Sequence, residues 1–261
     1  MKILSLNTHS LMEEDYEQKC RLFVKAVTEM NIDILLLQEV NQTSSKPMAE
    51  SIYGLSHTPI KEDNHALTLS KLFEENGNPY YFVWLGIKNG YAIYDEGLAV
   101  MSRTPIQNTK EVLLSQKDDY KNWKTRKALT AKTGGIWVCN THMGWWDDKE
   151  EPFKHQFEKL NSALLKYDDI ILGGDFNAPD TGKAYEYVLS HGWHDTYRDA
   201  EEKHGYATVN GKIAGWEENL ESIRVDYIFS KQKKIIKKSA TVFDSERYGI
   251  ISDHFGVVSE F

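Results

Sequence analysis

Cysteine, proline and long apolar runs are scarce in this sequence, and each absence excludes a class of protein. Two cysteines in 261 residues, Cys20 and Cys139, are too few for a disulfide framework and indicate buried, inert thiols in a reducing compartment. Only six prolines occur, and no Pro/Gly/Ser-rich stretch marks a linker. No apolar run reaches membrane-spanning length, and the first predicted strand begins at Lys2, which leaves no room for a signal peptide. We therefore expect a cytoplasmic protein that does not bind a membrane.

The chain also has fewer basic than acidic residues. The chain has 31 lysines and arginines against 39 aspartates and glutamates, a net charge of −8, whereas proteins that grip long nucleic acid usually carry a basic stripe. The one basic cluster, Lys231–Lys238, lies between two predicted strands, Val225–Phe229 and Ile235–Val242. A solvated turn and an edge strand protected by lysines explain this cluster better than a phosphate-binding patch. Long nucleic acid is therefore not an expected partner.

The strongest positive signal is a carboxylate that follows a buried strand. The segment Asp169–Leu172 is short and β-branched, which is typical of a core strand. Gly173 and Gly174 then allow a tight turn or a close approach of the backbone to another group. Asp175 and Asn177 follow at the carboxyl end of the strand, where α/β proteins place their chemistry.

The same arrangement occurs earlier in the chain, where Glu39 takes the place of Asp175. Each acid comes after a strand, an Asn-Thr-His triplet, a helix and a second strand. The first set is Lys2–Leu6, Asn7–His9, Glu17–Met30 and Asp33–Leu37, and the second is Ile136–Cys139, Asn140–His142, Phe153–Lys166 and Asp169–Leu172. This repetition predicts an internally duplicated frame whose polar strand ends converge on one cleft. Each half alone is too incomplete to fold, so we expect a single domain over residues 1–261.

Four carboxylates stand at the ends of apolar segments or inside them: Glu39, Asp175, Asp226 and Asp253. A carboxylate in such surroundings is costly unless it is paired or binds a metal ion. Oxygen ligands of this kind suit Mg²⁺ or Mn²⁺, which keep several waters and bind substrate phosphates. No Cys/His spacing fits a zinc finger, and no Gly-rich loop fits a P-loop. The expected cofactor is therefore Mg²⁺ (or Mn²⁺).

Taken in order, these residues resemble the endonuclease/exonuclease/phosphatase superfamily. The matching motifs are Asn7, Glu39, Glu96–Arg103, Asn140–His142, Gly174–Asn177, Asp226–Tyr227 and Ser252–His254, and they span almost the whole chain. The resemblance implies an α/β fold, a four-layered αββα sandwich with two mixed sheets face to face and helices outside. It also implies a metal-dependent phosphoric ester hydrolase that works by in-line attack of activated water, without a covalent intermediate.

The resemblance implies roles for the matching residues. The metal set is Glu39 as the main ligand, with Asn7 beside it and Asp253 nearby. The catalytic set is His142, Asp175, Asn177, Asp226 and His254. Asp175 would orient or deprotonate the attacking water, which Asn177 would hold. Asp226 would fix the tautomer of His254, which would contact the phosphoryl group or help to activate the water.

Three further residues take less specific roles. His142 would donate to a phosphate oxygen or assist the leaving group. Arg126 resembles a phosphate-binding arginine found in parts of the superfamily. His9 mirrors His142, yet the superfamily does not require a histidine there, so a structural or substrate-side role is expected. The remaining histidines are interpreted as ordinary surface or packing residues: His57, His65, His155, His191, His194 and His204.

Aromatic residues beside acids bear on the group that carries the phosphate. Trp145 and Trp146 precede two aspartates and would form a substrate-binding platform that stacks on a sugar, although packing of the loop explains either ring alone. Further rings, Tyr91, Tyr94 and Trp216, would add to it. We therefore expect a phosphatase of a small phosphorylated metabolite such as a sugar phosphate. The segments Asn7–Ser10 and Gly144–Trp146 are similar to those of a bacterial branch of the superfamily that includes a phosphatase of maltose 6′-phosphate.

Two other functions remain compatible with the sequence. Aromatic rings also stack on nucleobases, so a nuclease or phosphodiesterase with the same site is the main alternative. A catalytically silent binding module is the other, although every expected catalytic position is filled. No feature of the sequence indicates an obligate protein partner.

Overall fold

The structure, a computed structural model, describes residues 1–50, 54–56 and 58–261 of the chain. His57, interpreted above as an ordinary residue, lies outside the described residues. Among the residues described, none of the helices is long and apolar enough to cross a lipid bilayer.

Two β-sheets packed face to face form the centre of the fold. Within the described residues the larger sheet has eight strands, in the order β11 (Ala200–His204), β15 (Ile236–Val242), β16 (Gly256–Glu260), β1 (Lys2–Asn7), β2 (Ile34–Thr43), β5 (Tyr94–Ser102), β4 (Tyr81–Gly90) and β3 (Gly54–Ser56). The smaller sheet, counted in the same way, has six: β10 (His194–Asp195), β14 (Asp226–Ser230), β9 (Ile171–Asp175), β8 (Ile136–His142), β7 (Lys127–Thr133) and β6 (Ile106–Leu113). A small ribbon pairs β12 (Val209–Asn210) with β13 (Ser222–Ile223).

Helices cover the outer face of each sheet. The larger sheet packs against α1 (Tyr16–Met30) and α2 (His65–Glu75), and the smaller sheet against α3 (Phe153–Leu164) and α4 (Lys183–Ser190). A short 3-10 helix (Ser10–Met12) and α5 (Thr196–Asp199) complete the helical elements of the described chain. The result is the four-layered αββα sandwich that the resemblance implies.

The apolar run of β2 shows how sequence produces these layers. Successive side chains of a strand point to opposite faces, so Leu35 and Leu37 pack beneath α1 and α2, while Ile34 and Leu36 pack against the smaller sheet. A strand buried on both faces needs apolar residues at every position, which explains the unbroken Ile-Leu-Leu-Leu sequence.

The predicted duplication is present as two parallel strand pairs. In the larger sheet β1 pairs with β2, and α1 connects the two strands. In the smaller sheet β8 pairs with β9, and α3 lies in the connection between them. Asn7 lies opposite Gln38, one residue before Glu39, whereas Asn140 lies opposite Gly173, two residues before Asp175. The pairing of β2 with its other neighbour, β5, is irregular between Leu37 and Val40. Glu39 therefore lies inside a long strand, at a bulge, and not beyond its end.

The basic cluster Lys231–Lys238 does not protect a sheet edge, contrary to the prediction. The strand Ile236–Val242 is not an edge strand, because it pairs with β16 on one side and with β11 on the other. Two lysines of the cluster instead bind the end of α3 and the loop after it. Lys231 donates to the carbonyl of Leu165 over 3.1 Å, and Lys234 forms an ion pair with Asp169 over 2.5 Å. These contacts agree with a structural role for the cluster.

The two cysteines are buried as expected, Cys20 in α1 and Cys139 in β8. Burial raises the pKa of the Cys20 thiol to about 11, and it raises the pKa of the Cys139 thiol as well. Both thiols therefore stay protonated at neutral pH and are poor nucleophiles.

Replacing Gly174 by alanine is expected to destabilise the fold strongly. Here φ is +151°, and an added Cβ would lie 1.9 Å from the carbonyl oxygen of Thr141 on the neighbouring strand β8. We expect the free energy of unfolding, measured by urea denaturation, to fall by ~3 kcal/mol or more. Gly77→Ala is the control, because its φ of +70° imposes backbone strain while its added Cβ meets nothing within 4 Å. Equal losses for both variants would contradict the close-approach argument.

Candidate active site

A cleft collects most of the residues that the sequence predicts for the site. It has a volume of about 700 Å³ and includes side chains from the ends of both parallel strand pairs. The predicted residues that line it are Glu39, Arg126, His142, Trp145, Asp175, Asn177, Asp253 and His254. Asn7 and Asp226 are buried behind this lining and bond to it, whereas Trp146 lies apart.

The asparagines of the two repeated triplets connect the sheets. Asn7, on the larger sheet, donates through Nδ2 to Glu39 Oε1 over 2.9 Å and to Asp175 Oδ2 of the smaller sheet over 3.1 Å. Asn140, on the smaller sheet, donates to the carbonyl of Leu37 on the larger sheet over 2.8 Å. Both amides are buried and satisfied, so the strand ends are held in one relative position. Asn7 thereby bridges two carboxylates, and its place beside a metal ion stays a prediction.

Asp175 and Asn177 form the centre of the cleft. Asp175 Oδ1 accepts the backbone N–H of Asn177 over 2.8 Å, which fixes the carboxylate. The side chain of Asn177 donates through Nδ2 to the carbonyl of Met143 over 3.0 Å, and its Oδ1 accepts from Nε1 of Trp216 over 3.1 Å. Nδ2 also lies 3.2 Å from Nε2 of His142. Trp216 thus holds a site residue and does not serve as the free stacking ring that the sequence suggested.

Among the described residues that line the cleft, four non-glycine residues have a positive φ: His9, Glu39, Tyr91 and Asn177. Glu39 has φ of 49° and Asn177 has φ of 46°, both in the left-handed region that non-glycine residues rarely occupy. At Glu39 the carbonyl accepts hydrogen bonds from Ser10 Oγ over 2.7 Å and Thr8 Oγ1 over 3.2 Å, which hold this conformation. Such strain costs ~1–3 kcal/mol per residue and tends to occur at functional sites, where it aims a side chain.

Asp226 pairs with His254 as the resemblance implies. Asp226 Oδ2 lies 2.9 Å from Nδ1 of His254, and Nε2 of the same ring lies 3.8 Å from Asp175 Oδ2. Burial alone would lower the pKa of His254, but the charges on Asp226 and Asp175 outweigh it and raise that pKa to about 10. Burial, with the charge on Asp226, raises the pKa of Asp175 to about 7. The site thus holds a cationic imidazole and a carboxyl group that titrates near neutrality.

Thr208 holds this pair in place, although no sequence signal pointed to it. Its Oγ1 accepts the backbone N–H groups of Val225 and Asp226 over 3.0 and 3.2 Å. Its carbonyl accepts the N–H of Phe255, next to His254, over 2.7 Å. One buried threonine therefore connects the strand that carries Asp226 to the segment that carries His254.

Carboxylates gather on one side of the cleft, around Glu39, Glu96 and Asp253. Burial raises the pKa of Glu39, and the charges on Glu96 and Asp253 raise it further. A divalent cation would relieve this repulsion, and the oxygen donors suit Mg²⁺ or Mn²⁺. The residues present therefore fit a divalent cation.

His9 contributes a second carboxylate–imidazole pair at the same side. Its Nδ1 lies 2.6 Å from Glu13 Oε1, and Lys19 lies 2.5 Å from the other carboxylate oxygen. The imidazole lines the cleft, and potential ligand atoms of His9, Glu13 and Asp253 lie within 4.8 Å of one another. Because Lys19 already neutralises Glu13, this cluster fits a metal ion less well than the group around Glu39 does.

The basic side of the cleft adjoins the acidic side, because Lys88 and Glu96 form an ion pair. Lys88 and Arg126 are 6% and 3% exposed, and both line the cleft. Lys88 pairs with Glu96 over 3.1 Å, whereas no carboxylate among the described residues forms an ion pair with Arg126. The Nε of Arg126 is buried and, within the same residues, has no hydrogen-bond partner. A buried guanidinium with spare donors is suited to an anion that enters the cleft.

His142 lies beside Asp175 and Asn177 in the same cleft. Burial, followed by the positive charges on Arg126 and Lys88, holds the pKa of His142 well below its ordinary value. The ring is therefore neutral at physiological pH. Its Nε2 lies 3.5 Å from Asp175 Oδ2, so it is close enough to share a proton or a ligand with that carboxylate.

The two adjacent tryptophans do not form the expected platform. Trp145 lines the cleft, but the glycine at 215 closes on its ring, where an added Cβ would lie 2.7 Å from Cζ2. Trp146 packs against Phe153 and Tyr187, with ring centroids 6.1 and 5.8 Å away, beside the outer helices. The structure thus places Trp146 outside the cleft, contrary to its predicted substrate-binding role. Although Trp145 and Trp146 are adjacent in sequence, the first lines the cleft and the second packs against the outer helices.

Sequence reasoning missed Lys88 and Trp123 as well as Thr208. Lys88 ends the apolar part of β4, and a lysine in such a strand is a usable signal, since a buried ammonium needs a partner. Trp123 lies in a loop with no local pattern that distinguishes it. Its placement depends on contacts with residues distant in sequence.

Comparison with known proteins agrees with the fold and identifies the family. The profile of the Endonuclease/Exonuclease/phosphatase family matches residues 5–254. Comparison with curated protein sequences gives no match. Fold, site and profile together define a phosphoester hydrolase, and metal dependence is typical of this class. The chain belongs to the endonuclease/exonuclease/phosphatase family.

Solved structures of that family are similar over the full chain. A family protein from Leptotrichia buccalis has a TM-score of 0.87 and 29% identity, covering 100% of this chain and 98% of the other. A mannosyl-6-phosphatase from Bacteroides thetaiotaomicron has a TM-score of 0.70 and 21% identity, with coverage of 100% and 98%. A 3′-5′ exonuclease from Neisseria meningitidis has a TM-score of 0.64 and 20% identity, covering 100% of this chain and 99% of the other. At these identities the last two support the fold alone.

The charge on Asp226 is expected to make stability depend on pH. The pKa of His254 rises from 6.5 to about 10, so the stabilising contribution of this group is fully present below 6.5 and is lost as pH rises through 10. Asp175, with a pKa raised from 3.8 to about 7, contributes its own loss of stability mainly below pH 7, at the lower end of that window.

Metal-free protein should therefore lose unfolding free energy between pH 7 and 10, by on the order of 1 kcal/mol per pH unit more than Asp226→Asn does. Urea denaturation across this window measures the difference. Asp147→Asn, which neutralises an exposed carboxylate, should follow the unmodified protein. Parallel curves for the unmodified protein and Asp226→Asn would show that the pair does not hold the imidazole protonated.

Proposed function

We propose that this protein is a divalent-metal-dependent phosphatase of a small phosphorylated metabolite, most simply a sugar phosphate. The observation that carries the proposal is the division of one cleft into an acidic side, around Glu39, and a basic side, around Arg126. A phosphate group fits between them, because a cation held by the acids and the basic side chains would both neutralise it.

The acidic side would hold Mg²⁺ or Mn²⁺ through Glu39, with Asp253 and Glu96 as neighbours. When bound, the cation supplies positive charge to the phosphoryl oxygens and stabilises the charge that develops during hydrolysis. Asn7 keeps Glu39 and Asp175 at a fixed separation, since its amide donates to both. The metal would thus lie beside the carboxylate that acts on water.

Asp175 is the proposed base for the attacking water. Its pKa of about 7 means that the carboxylate is available near neutral pH and still basic enough to take a proton. Asn177 lies beside it and would hold the water or a phosphate oxygen. The imidazolium of His254, kept charged by Asp226, would donate from Nε2 to the phosphoryl group.

The basic side would bind the remaining phosphate oxygens. Arg126 and Lys88 supply buried donors, and His142 is neutral and able to donate to an oxygen on the leaving-group side. A phosphomonoester carries close to two negative charges at neutral pH, since its second pKa is about 6, whereas a diester carries one. Lys88 is paired with Glu96, but Arg126 forms no ion pair among the described residues, so its charge would add to that of a bound cation and favour a monoester. The net charge of −8 disfavours a polyanionic strand.

The first test compares ester classes. Protein treated with EDTA should release no phosphate from hexose 6-phosphates, and added Mg²⁺ or Mn²⁺ should restore release. Asp175→Asn should lower kcat by about 10²–10⁴-fold, because it removes the base but keeps the shape. Asp147→Asn is the matched control, the same change at an exposed position. Cleavage of diesters or plasmid DNA, with no phosphomonoester hydrolysed, would support the nuclease alternative instead.

Lys88→Met tests the basic side. The variant keeps most of the side-chain volume and removes the charge, so KM for the phosphomonoester and the inhibition constant of inorganic phosphate should both rise about 10–100-fold, as expected for one charged hydrogen bond. The measurement is steady-state kinetics at saturating metal. Lys121→Met, at an exposed position, should change neither constant. An unaltered phosphate inhibition constant in Lys88→Met would place the phosphate elsewhere.

A further inference from the structure

A tryptophan that the sequence did not single out stands exposed in the cleft. Trp123 lines the cleft and is 55% exposed, which is unusual for so large an apolar side chain. Trp145 also lines the cleft, but the glycine at 215 packs against its ring and covers part of it. Of the two rings, Trp123 is the one accessible to a bound molecule.

The backbone of Trp123 is tied to the basic side of the site. Its carbonyl accepts a hydrogen bond from Lys88 Nζ over 2.8 Å and another from Arg126 Nη1 over 3.0 Å. The two cations proposed to bind phosphate thus share one acceptor, which belongs to the residue that carries the exposed ring. The exposed ring therefore belongs to the residue whose carbonyl holds both cations.

The ring itself is held in position. Lys124 Nζ lies 5.5 Å from the ring centroid of Trp123, and Asp148 fixes Lys124 through an ion pair of 2.9 Å. The ring of Trp145 lies 6.1 Å away at an interplanar angle of 59°. A preorganised ring loses little conformational entropy on binding, so its contact area converts efficiently into affinity.

We propose that Trp123 is a specificity-determining residue that stacks on the ring of a carbohydrate bearing the phosphate. The inference rests on the proposed function, since it requires the phosphate to bind at Lys88 and Arg126. A sugar offers an apolar C–H face to the indole and hydroxyl groups to nearby carboxylates. Glu217 lies in the same cleft and is exposed, and it would accept hydroxyl hydrogen bonds while repelling further phosphates.

The test is a ratio of specificities. For Trp123→Ala, kcat/KM for a hexose 6-phosphate, divided by kcat/KM for glycerol phosphate, should fall about ten-fold, mainly through KM. Trp123→Phe should recover most of the ratio, because a ring remains. Both variants keep the carbonyl that binds the two cations. Ile93→Ala, which truncates another exposed apolar side chain, should leave the ratio at its original value.

Binding gives a readout independent of turnover. In an Asp175→Asn background, calorimetry should show that Trp123→Ala weakens binding of the hexose 6-phosphate about ten-fold more than binding of inorganic phosphate. If this holds but the unmodified protein hydrolyses no phosphomonoester, the proposed function is wrong and the subsite stands. If sugar phosphates are hydrolysed and both ratios are insensitive to Trp123→Ala, the subsite is wrong. If Trp123→Ala weakened the binding of 3′-phosphorylated oligonucleotides alone, the ring would be assigned to a nucleobase and the carbohydrate assignment would be overturned.

Discussion

The cost of burying charge shapes the whole centre of this protein. Asp175, Asp226 and His254 are all buried, with potential ligand atoms within 4.8 Å of one another, and Glu39 lies close enough to share the amide of Asn7. Isolated charges in such a place would destabilise the fold by several kcal/mol, so each must be paired, bonded or neutralised by a ligand. The Asp226–His254 pair and the asparagine bridge meet part of this requirement. A divalent cation and a phosphate would meet the rest.

The duplicated frame explains how the chain brings these groups together. Each half ends a strand in Asn-Thr-His, and each asparagine reaches across to the opposite sheet: Asn7 to Asp175, and Asn140 to the backbone at Leu37. The sheets are therefore joined at the site by polar side chains and elsewhere by apolar packing. Because strand ends are fixed by the core behind them, the polar side chains that they carry are held in a defined relative position.

Much of this arrangement could be predicted from sequence, because it depends on local pattern. The parallel strand pairs, their helices and the convergence of Asp175 with Glu39 were predictable from apolar runs and the acids after them, whereas the role of His254 came from the resemblance to the family. The direction of side chains in loops was not predictable from local pattern. Trp146 was therefore predicted to lie in the cleft, although it packs outside it. The order of strands in a sheet also depends on distant pairing, which is why Ile236–Val242 was mistaken for an edge. Lys88 and Trp123 join the site through contacts of the same long-range kind.

The division of the cleft into a metal side and a phosphate side is the central claim, and a crystal grown with Mn²⁺ and inorganic phosphate tests it most directly. Anomalous scattering should place manganese against the carboxylate of Glu39, and the phosphate should lie between that ion and the side chains of Arg126 and Lys88. Manganese bound by His9 and Glu13, or phosphate bound away from Arg126, would contradict the account.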